Sequence, residues 1–157
     1  MDQIAAQVST LVDGSRDQVW HALTDPALVS EYFMGATVRS DWRVGSPITF
    51  SGEWQGKPFE DKGEILAAEP GEDLRFSHWS PLSGSDDTPD NYHVVDISLD
   101  AHGDKTRVTL SQSNLDGRLT EEDRAQRSDY EKNWSTVLEG LKGVVERGGD
   151  DGFVHRQ

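Results

Sequence analysis

Between residues 120 and 149 one apolar stripe repeats with the period of a helix, and it constrains everything upstream of it. Trp134, Val137, Leu138, Leu141, Val144 and Val145 recur at the spacing of a single helix face. Thr120-Glu121-Glu122-Asp123 reads as a capping box with an acidic first turn. Lys142 and Arg147 stand toward the far end, where Gly148-Gly149 is expected to stop the helix. A helix of about seven turns with one apolar stripe must lay that stripe in a large concave surface.

The preceding sequence supplies such a surface. Ile4 to Val12 reads as a strand closed by Asp13-Gly14. Ser15 can cap a helix carrying Val19, Trp20 and Leu23, and Asp25-Pro26 breaks it and opens a second short helix through Leu28 to Tyr32. From Ala36 to Asn114 the pattern alternates: Ile48-Phe50-Gly52-Trp54, then Glu60 to Glu69, Leu74-Phe76-His78, Val95-Ile97-Leu99 and Thr106-Val108-Leu110-Gln112. Short turns at Gln55-Gly56-Lys57, Pro70-Gly71 and His102-Gly103-Asp104 join these runs, and Pro81 to Pro89 reads as a polar loop. The predicted architecture is α+β: a curved antiparallel meander wrapped around one long C-terminal helix, with two short helices after the first strand. The domain is expected over 1–149, with 150–157 a loose tail.

Charge and cysteine content then exclude classes of function. A net charge of −14 opposes binding to a nucleic-acid backbone or an anionic membrane, both of which need Lys/Arg stripes. No cysteine is present, which removes disulfides, thiolate nucleophiles and zinc ribbons and suits a reducing cytoplasm. Met1-Asp2-Gln3-Ile4-Ala5-Ala6 lacks the basic patch and apolar run of a signal peptide, and no apolar stretch is long enough to span a bilayer. Phosphate loops, dinucleotide fingerprints, His-Glu-x-x-His helices and nucleophile elbows are absent, so no cofactor and no metal are expected.

Several segments are similar, in order, to one superfamily. Val19-Trp20-His21-Ala22-Leu23-Thr24-Asp25-Pro26 resembles the "VWxALTDP" segment of the SRPBCC, or START-like, superfamily. Tyr32-Phe33-Met34 stands where one branch, named after the C-terminal domain of the activator of Hsp90 ATPase, usually has Trp-Phe. Arg43-Val44-Gly45-Ser46 is similar to that branch's "RVGG", and Gly63 to Pro70 resembles its "GxVLExEP" strand. Thr106 to Ser113 matches "TRVTLTQS", and Asn133 to Leu138 is similar to its "GWxxxL" helix. The resemblance implies the helix-grip fold and a cavity between sheet and helix. Its members include lipid carriers, hormone receptors and polyketide cyclases, so fold alone does not assign function. The eukaryotic activator works with an additional N-terminal domain for which this chain has no room, and a chaperone partner is therefore not expected.

Candidate site residues follow from the faces. The second half of the helix is densely apolar, whereas the first half offers Arg127 and Tyr130 before Trp134. A gap is expected there, lined by Phe50, Trp54, Phe76, His78, His93, Val95, Val108, Leu110, Arg127, Tyr130 and Trp134. Trp134 reads first as the residue that anchors the helix in the sheet, and second as a stacking surface. His78 and His93 share parity with inward residues and would lie opposite each other if their strands pair symmetrically about the 81–89 loop. They are then either a proton-transfer pair or half a metal site, or two rim histidines satisfied by water. His21, His102 and His155 lie on a helix, a turn and the tail, away from any such group. The leading function is binding of a small apolar or amphipathic molecule. The alternatives are a cyclase- or hydrolase-type enzyme in the same cavity, with catalysis the less expected, and a chaperone-associated protein. A homodimer is compatible with all three.

Overall fold

The computed structural model describes residues 4–33, 35–81 and 85–151. In chain order it contains β1 (Ile4–Val12), α1 (Arg16–Thr24), α2 (Pro26–Tyr32), β2 (Thr37–Ser40), β3 (Pro47–Trp54), β4 (Lys57–Glu69), β5 (Asp73–His78), β6 (His93–His102), β7 (Lys105–Asn114), α3 (Glu121–Ala125) and α4 (Arg127–Asp151). The seven strands form one sheet in the order β1-β7-β6-β5-β4-β3-β2, and every pairing is antiparallel. This is the helix-grip α+β arrangement. Ile48, Phe50, Ile65, Leu74, Phe76, Val95, Ile97, Val108 and Leu110 from the sheet share one core with Leu138, Leu141, Val144 and Val145 from α4.

Local chemistry sets the corners. The Ser15 hydroxyl accepts from Gln18 N at 3.1 Å while Gln18 Oε1 accepts from Ser15 N at 2.8 Å, a reciprocal cap that starts α1. Asp25 ends α1 and opens α2, its carboxylate accepting from Ala27 N at 2.9 Å. Gln55 (φ 52°) and Gly56 (φ 81°) both take left-handed backbone, the geometry of a tight hairpin turn between β3 and β4. β4 begins at Lys57, three residues before the sequence pattern becomes regular, because the turn hands the chain straight into the ladder.

The long helix departs from expectation at both ends. The capping box at Thr120 starts only α3, which ends at Gln126 (φ −101°, ψ 7°), and α4 begins afresh at Arg127. At the other end α4 continues through Gly148-Gly149 to Asp151, since glycine costs a helix only about 1 kcal/mol per residue and does not break it. Asp150 and Asp151 therefore belong to the helix, and the rest of the expected tail lies outside the described residues.

Polar side chains of α4 close the outer edge of β1. Glu131 Oε2 accepts from Gln7 N (3.0 Å), Glu146 Oε2 accepts from Asp13 N (2.9 Å), Lys142 Nζ donates to the Leu11 carbonyl (3.0 Å) and Arg127 donates to the Ile4 carbonyl (3.4 Å). Groups that would otherwise template another strand are satisfied within the chain. The opposite edge is β2, only four residues long.

Candidate functional site

The expected gap between the sheet and the first half of α4 is nearly filled. Phe33, which follows α2, stacks on Phe50 (5.0 Å between centroids, 16°) and meets Trp134 edge-on at 6.1 Å. What remains is a cavity of about 30 Å³ walled by apolar side chains, among them Phe33, Phe50, Phe76, Val95, Leu110 and Trp134. That is room for a water but not for an organic ligand, and its lining gives a water no partners. Gly140 explains how the helices close over it. A Cβ there would sit 2.6 Å from Tyr32 Cβ, so α2 packs directly on the α4 backbone.

The usable space lies toward the start of α4. A space of about 230 Å³ is lined by His78, His93, Val95, Gln112, Tyr130, Asn133 and Trp134. It shares Val95 and Trp134 with the dry cavity, and shares His78, His93 and Tyr130 with a polar cleft of about 680 Å³. The cleft is completed by Ser80, Ser85, Asp90 and Asn91 from the 79–92 segment and by Asn114, Asp116, Thr120, Glu122 and Asp123. At this wall Trp79 stacks on Tyr92 (6.4 Å) and the Tyr92 hydroxyl donates to Asp87 at 2.6 Å.

Strand register brings the histidines together: His78 pairs directly with His93 across β5 and β6, and His93 pairs with Asn114 across β6 and β7. His78 Nε2 lies 3.0 Å from Asp61 Oδ2, and its ring sits edge-on to Phe50 at 5.9 Å. Asp61 is buried, and its other oxygen has no hydrogen-bond partner among the described residues. His93 Nδ1 lies 3.0 Å from Asn114 Oδ1. Asn114 Nδ2 donates to the Arg118 carbonyl (2.6 Å) and to Asp123 Oδ2 (2.7 Å), and the Tyr130 hydroxyl donates to Asp123 Oδ1 at 3.3 Å. Trp134 Nε1 donates to the buried Gln112 Oε1 at 2.7 Å.

Burial, and secondarily the neighbouring His78, hold His93 below the ordinary histidine value, against the opposing effect of its hydrogen bond to Asn114 Oδ1. Burial pushes Asp123 upward, but hydrogen bonds from Thr120, Asn114 and Tyr130 outweigh it and keep the carboxyl below its usual range. Burial and the charge of Asp123 raise the Tyr130 phenol.

The His93 shift sets a sign for pH dependence. Because its folded pKa is depressed, the unfolded chain binds the extra proton first as pH falls below 6.5. The stabilising contribution of the neutral ring is present above that value and is lost on acidification through the folded pKa. Asp73, pushed up to about 7 mainly by burial and then by Asp96, has the opposite slope in this range. The difference between proteins therefore isolates His93. His93→Asn is expected to flatten the loss of melting temperature between pH values of about 7 and 5. Parallel wild-type and variant curves would show that burial does not disfavour the charged ring.

The residues singled out from sequence divide into five groups. Phe50, Phe76, Val95, Leu110 and Trp134 wall the dry cavity, while His78, His93, Val95, Tyr130 and Trp134 wall the cleft and its inner space. Val108 is fully buried in the core and lines neither. Arg127 points away to the β1 edge, where it pairs with Glu131 at 3.1 Å and donates to the Ile4 carbonyl. The side chain of Trp54 lies outside the described residues. Sequence reasoning did not reach Phe33, Asp61, Gln112, Asn114 and Asp123. Gln112 and Asn114 continue the inward parity of Val108 and Leu110, which is the signal that could have found them. Among the described residues no cluster of three or more His, Asp or Glu is arranged to hold a metal, and no helix is long and apolar enough to cross a membrane.

The family described as "Activator of Hsp90 ATPase homolog 1-like protein" matches residues 13–146 of the chain. A solution structure of a protein from Cytophaga hutchinsonii is similar at 43% identity and a TM-score of 0.76, over 96% of this chain and 99% of that one. DynU16, from the dynemicin biosynthetic locus, has 21% identity and a TM-score of 0.71, over 91% of this chain and 47% of that one. A solution structure described as the Aha1 dimer from Colwellia psychrerythraea has 16% identity and a TM-score of 0.66, over 91% of this chain and 96% of that one. No curated protein matches the chain.

Proposed function

The chain belongs to the family of Activator of Hsp90 ATPase homolog 1-like proteins, and on that premise we propose that it binds a small amphipathic molecule in the cleft at the start of α4. The observation that carries this reading is the gradient of the lining. Trp134 and Val95 form an apolar inner end, and His78, His93 and Tyr130 stand between it and the polar mouth. A ligand would rest its apolar body against Trp134 and present its polar end to the histidines. A wholly apolar ligand is the poorer fit, since the dry cavity is too small to take one. The absence of cysteine supports a reducing, cytoplasmic setting.

Acid–base catalysis in the same cleft is the second reading, and the line His93–Asn114–Asp123 favours it because it orients one imidazole. The binding reading is tested by native mass spectrometry of the purified protein, which is expected to reveal a co-purified small molecule. An amphipathic fluorescent probe should bind, and Tyr130→Ala should weaken it about threefold or more, while Asp104→Ala in the distant β6–β7 turn leaves it unchanged. Equal affinity in all three proteins would place the probe elsewhere and sink the reading.

A further inference from the structure

Building on the ligand-binding reading, we infer that the cleft selects a ligand whose head group is a hydroxyl, an uncharged hydrogen-bond donor, and that His93 Nε2 is the atom that receives it. The hydrogen-bond network fixes the tautomer. Asn114 Nδ2 faces two groups that can only accept, the Arg118 carbonyl at 2.6 Å and the Asp123 carboxylate at 2.7 Å. The amide oxygen must then be the atom 3.0 Å from His93 Nδ1, and an amide oxygen cannot donate. The ring proton is therefore on Nδ1, and the neutral imidazole carries its lone pair at Nε2. Asp123 is itself held in this arrangement, because the Thr120 backbone N–H donates to the same Oδ2 (3.0 Å) and the Tyr130 hydroxyl to Oδ1 (3.3 Å). His93 Nε2 makes no hydrogen bond among the described residues, while its ring lines both the cleft and the inner space.

The rest of the lining decides against other head groups. Asp116, Glu122 and Asp123 line the cleft, and among the described residues no lysine or arginine does. A carboxylate or phosphate would meet like charge without a counter-ion. A head group that only accepts, such as an ether, would set lone pair against lone pair at Nε2. A hydroxyl satisfies the imidazole and leaves its carbon body to face Val95 and Trp134.

The test uses the full chain and three probes of one shape: naphthol, methoxynaphthalene and naphthoate. Ring-nitrogen NMR of isotope-labelled histidine should first show His93 protonated at Nδ1 and bare at Nε2. Naphthol should bind about tenfold more tightly than methoxynaphthalene, the size of one net hydrogen bond, and should shift the Nε2 signal. Naphthoate should bind most weakly. Asn114→Ala makes the point about positioning: the ring becomes free to take either tautomer, so the Nδ1–H signature fades and the naphthol preference falls toward parity. Its affinity for methoxynaphthalene should rise, because a ring free to carry its proton on Nε2 can donate to the ether oxygen. A proton found on Nε2 in the free wild type, or naphthoate binding most tightly, would overturn the inference. Equal binding of naphthol and methoxynaphthalene in the cleft would overturn it while leaving the ligand-binding reading in place. If none of the three binds and no cleft amide signal moves, both fall.

Discussion

Gly63→Ala should lower the stability of this domain by roughly 3 kcal/mol or more, an unusually large effect for one added methyl group. A Cβ on Gly63 would lie 1.7 Å from the Ser77 carbonyl oxygen and 2.5 Å from its carbon. Gly63 is not in left-handed backbone, so alanine is conformationally acceptable and the whole cost is contact. The obstacle is backbone on a neighbouring strand, and no rotamer change can relieve it. Here β4 is held on both sides: Gly63 pairs with Ile48 of β3, and Lys62 exchanges backbone hydrogen bonds with Trp79 (3.0 and 2.8 Å). The pinch is also visible in Glu64 N, which donates to the Ser77 hydroxyl at 3.0 Å. Separating β4 from β5 at this point would carry His78 away from Asp61, so the histidine ring signals should shift along with the denaturation midpoint. A midpoint near wild type would mean that the two strands are not in this contact.

Trp134→Ala should cost about 3 kcal/mol, toward the lower end for truncating a large aromatic because the ring is only half-buried. Two separable losses make up that figure. One is the packing against Phe33 that seals the dry cavity. The other is the donor to Gln112 Oε1, whose residue is only 5% exposed and would be left without its partner. Trp134→Phe keeps most of the first and removes the second, at about 1–2 kcal/mol. Adding Gln112→Leu to Trp134→Phe should recover part of that loss, since no buried acceptor then goes unsatisfied. If the double substitution is no better than the single one, the indole nitrogen is not what holds Gln112.

The regular parts of this fold were legible because each rests on a local rule. Alternation marked the inward faces of β3, β5, β6 and β7, Ser15 announced α1 by capping chemistry, and Pro26 announced the start of α2. The opposition of His78 and His93 followed from symmetry about one loop, and the ladder has that register. What sequence did not convey was competition for space. The first half of α4 is indeed poor in apolar groups, but Phe33 arrives from the corner after α2 and fills the gap, a tertiary contact with no periodic signature. Asp123 was visible only as part of a capping box. Its second role, holding Asn114 and through it the tautomer of His93, depends on β7 ending where α3 begins. Arg127 shows the reverse failure: it keeps the spacing of the stripe, but its long side chain reaches the β1 edge, where the Ile4 carbonyl and Glu131 hold it.

The carboxylates and amines of α4 that satisfy the edge of β1 also govern when that strand becomes safe during synthesis. Residues 4–12 leave the ribosome early, yet their ladder partner is β7 and their edge is completed by residues as distant as Lys142, 131 positions from Leu11. Until both have been made, the nascent chain exposes a strand that is unpaired along both sides, with nothing local to hide it. Contacts of such sequence separation close slowly, which lengthens the exposure. The polar residues of α4 thus act as a gate on solubility that shuts only once α4 has been made, and a ribosome stalled before residue 127 would leave that edge of β1 open to any other extended chain.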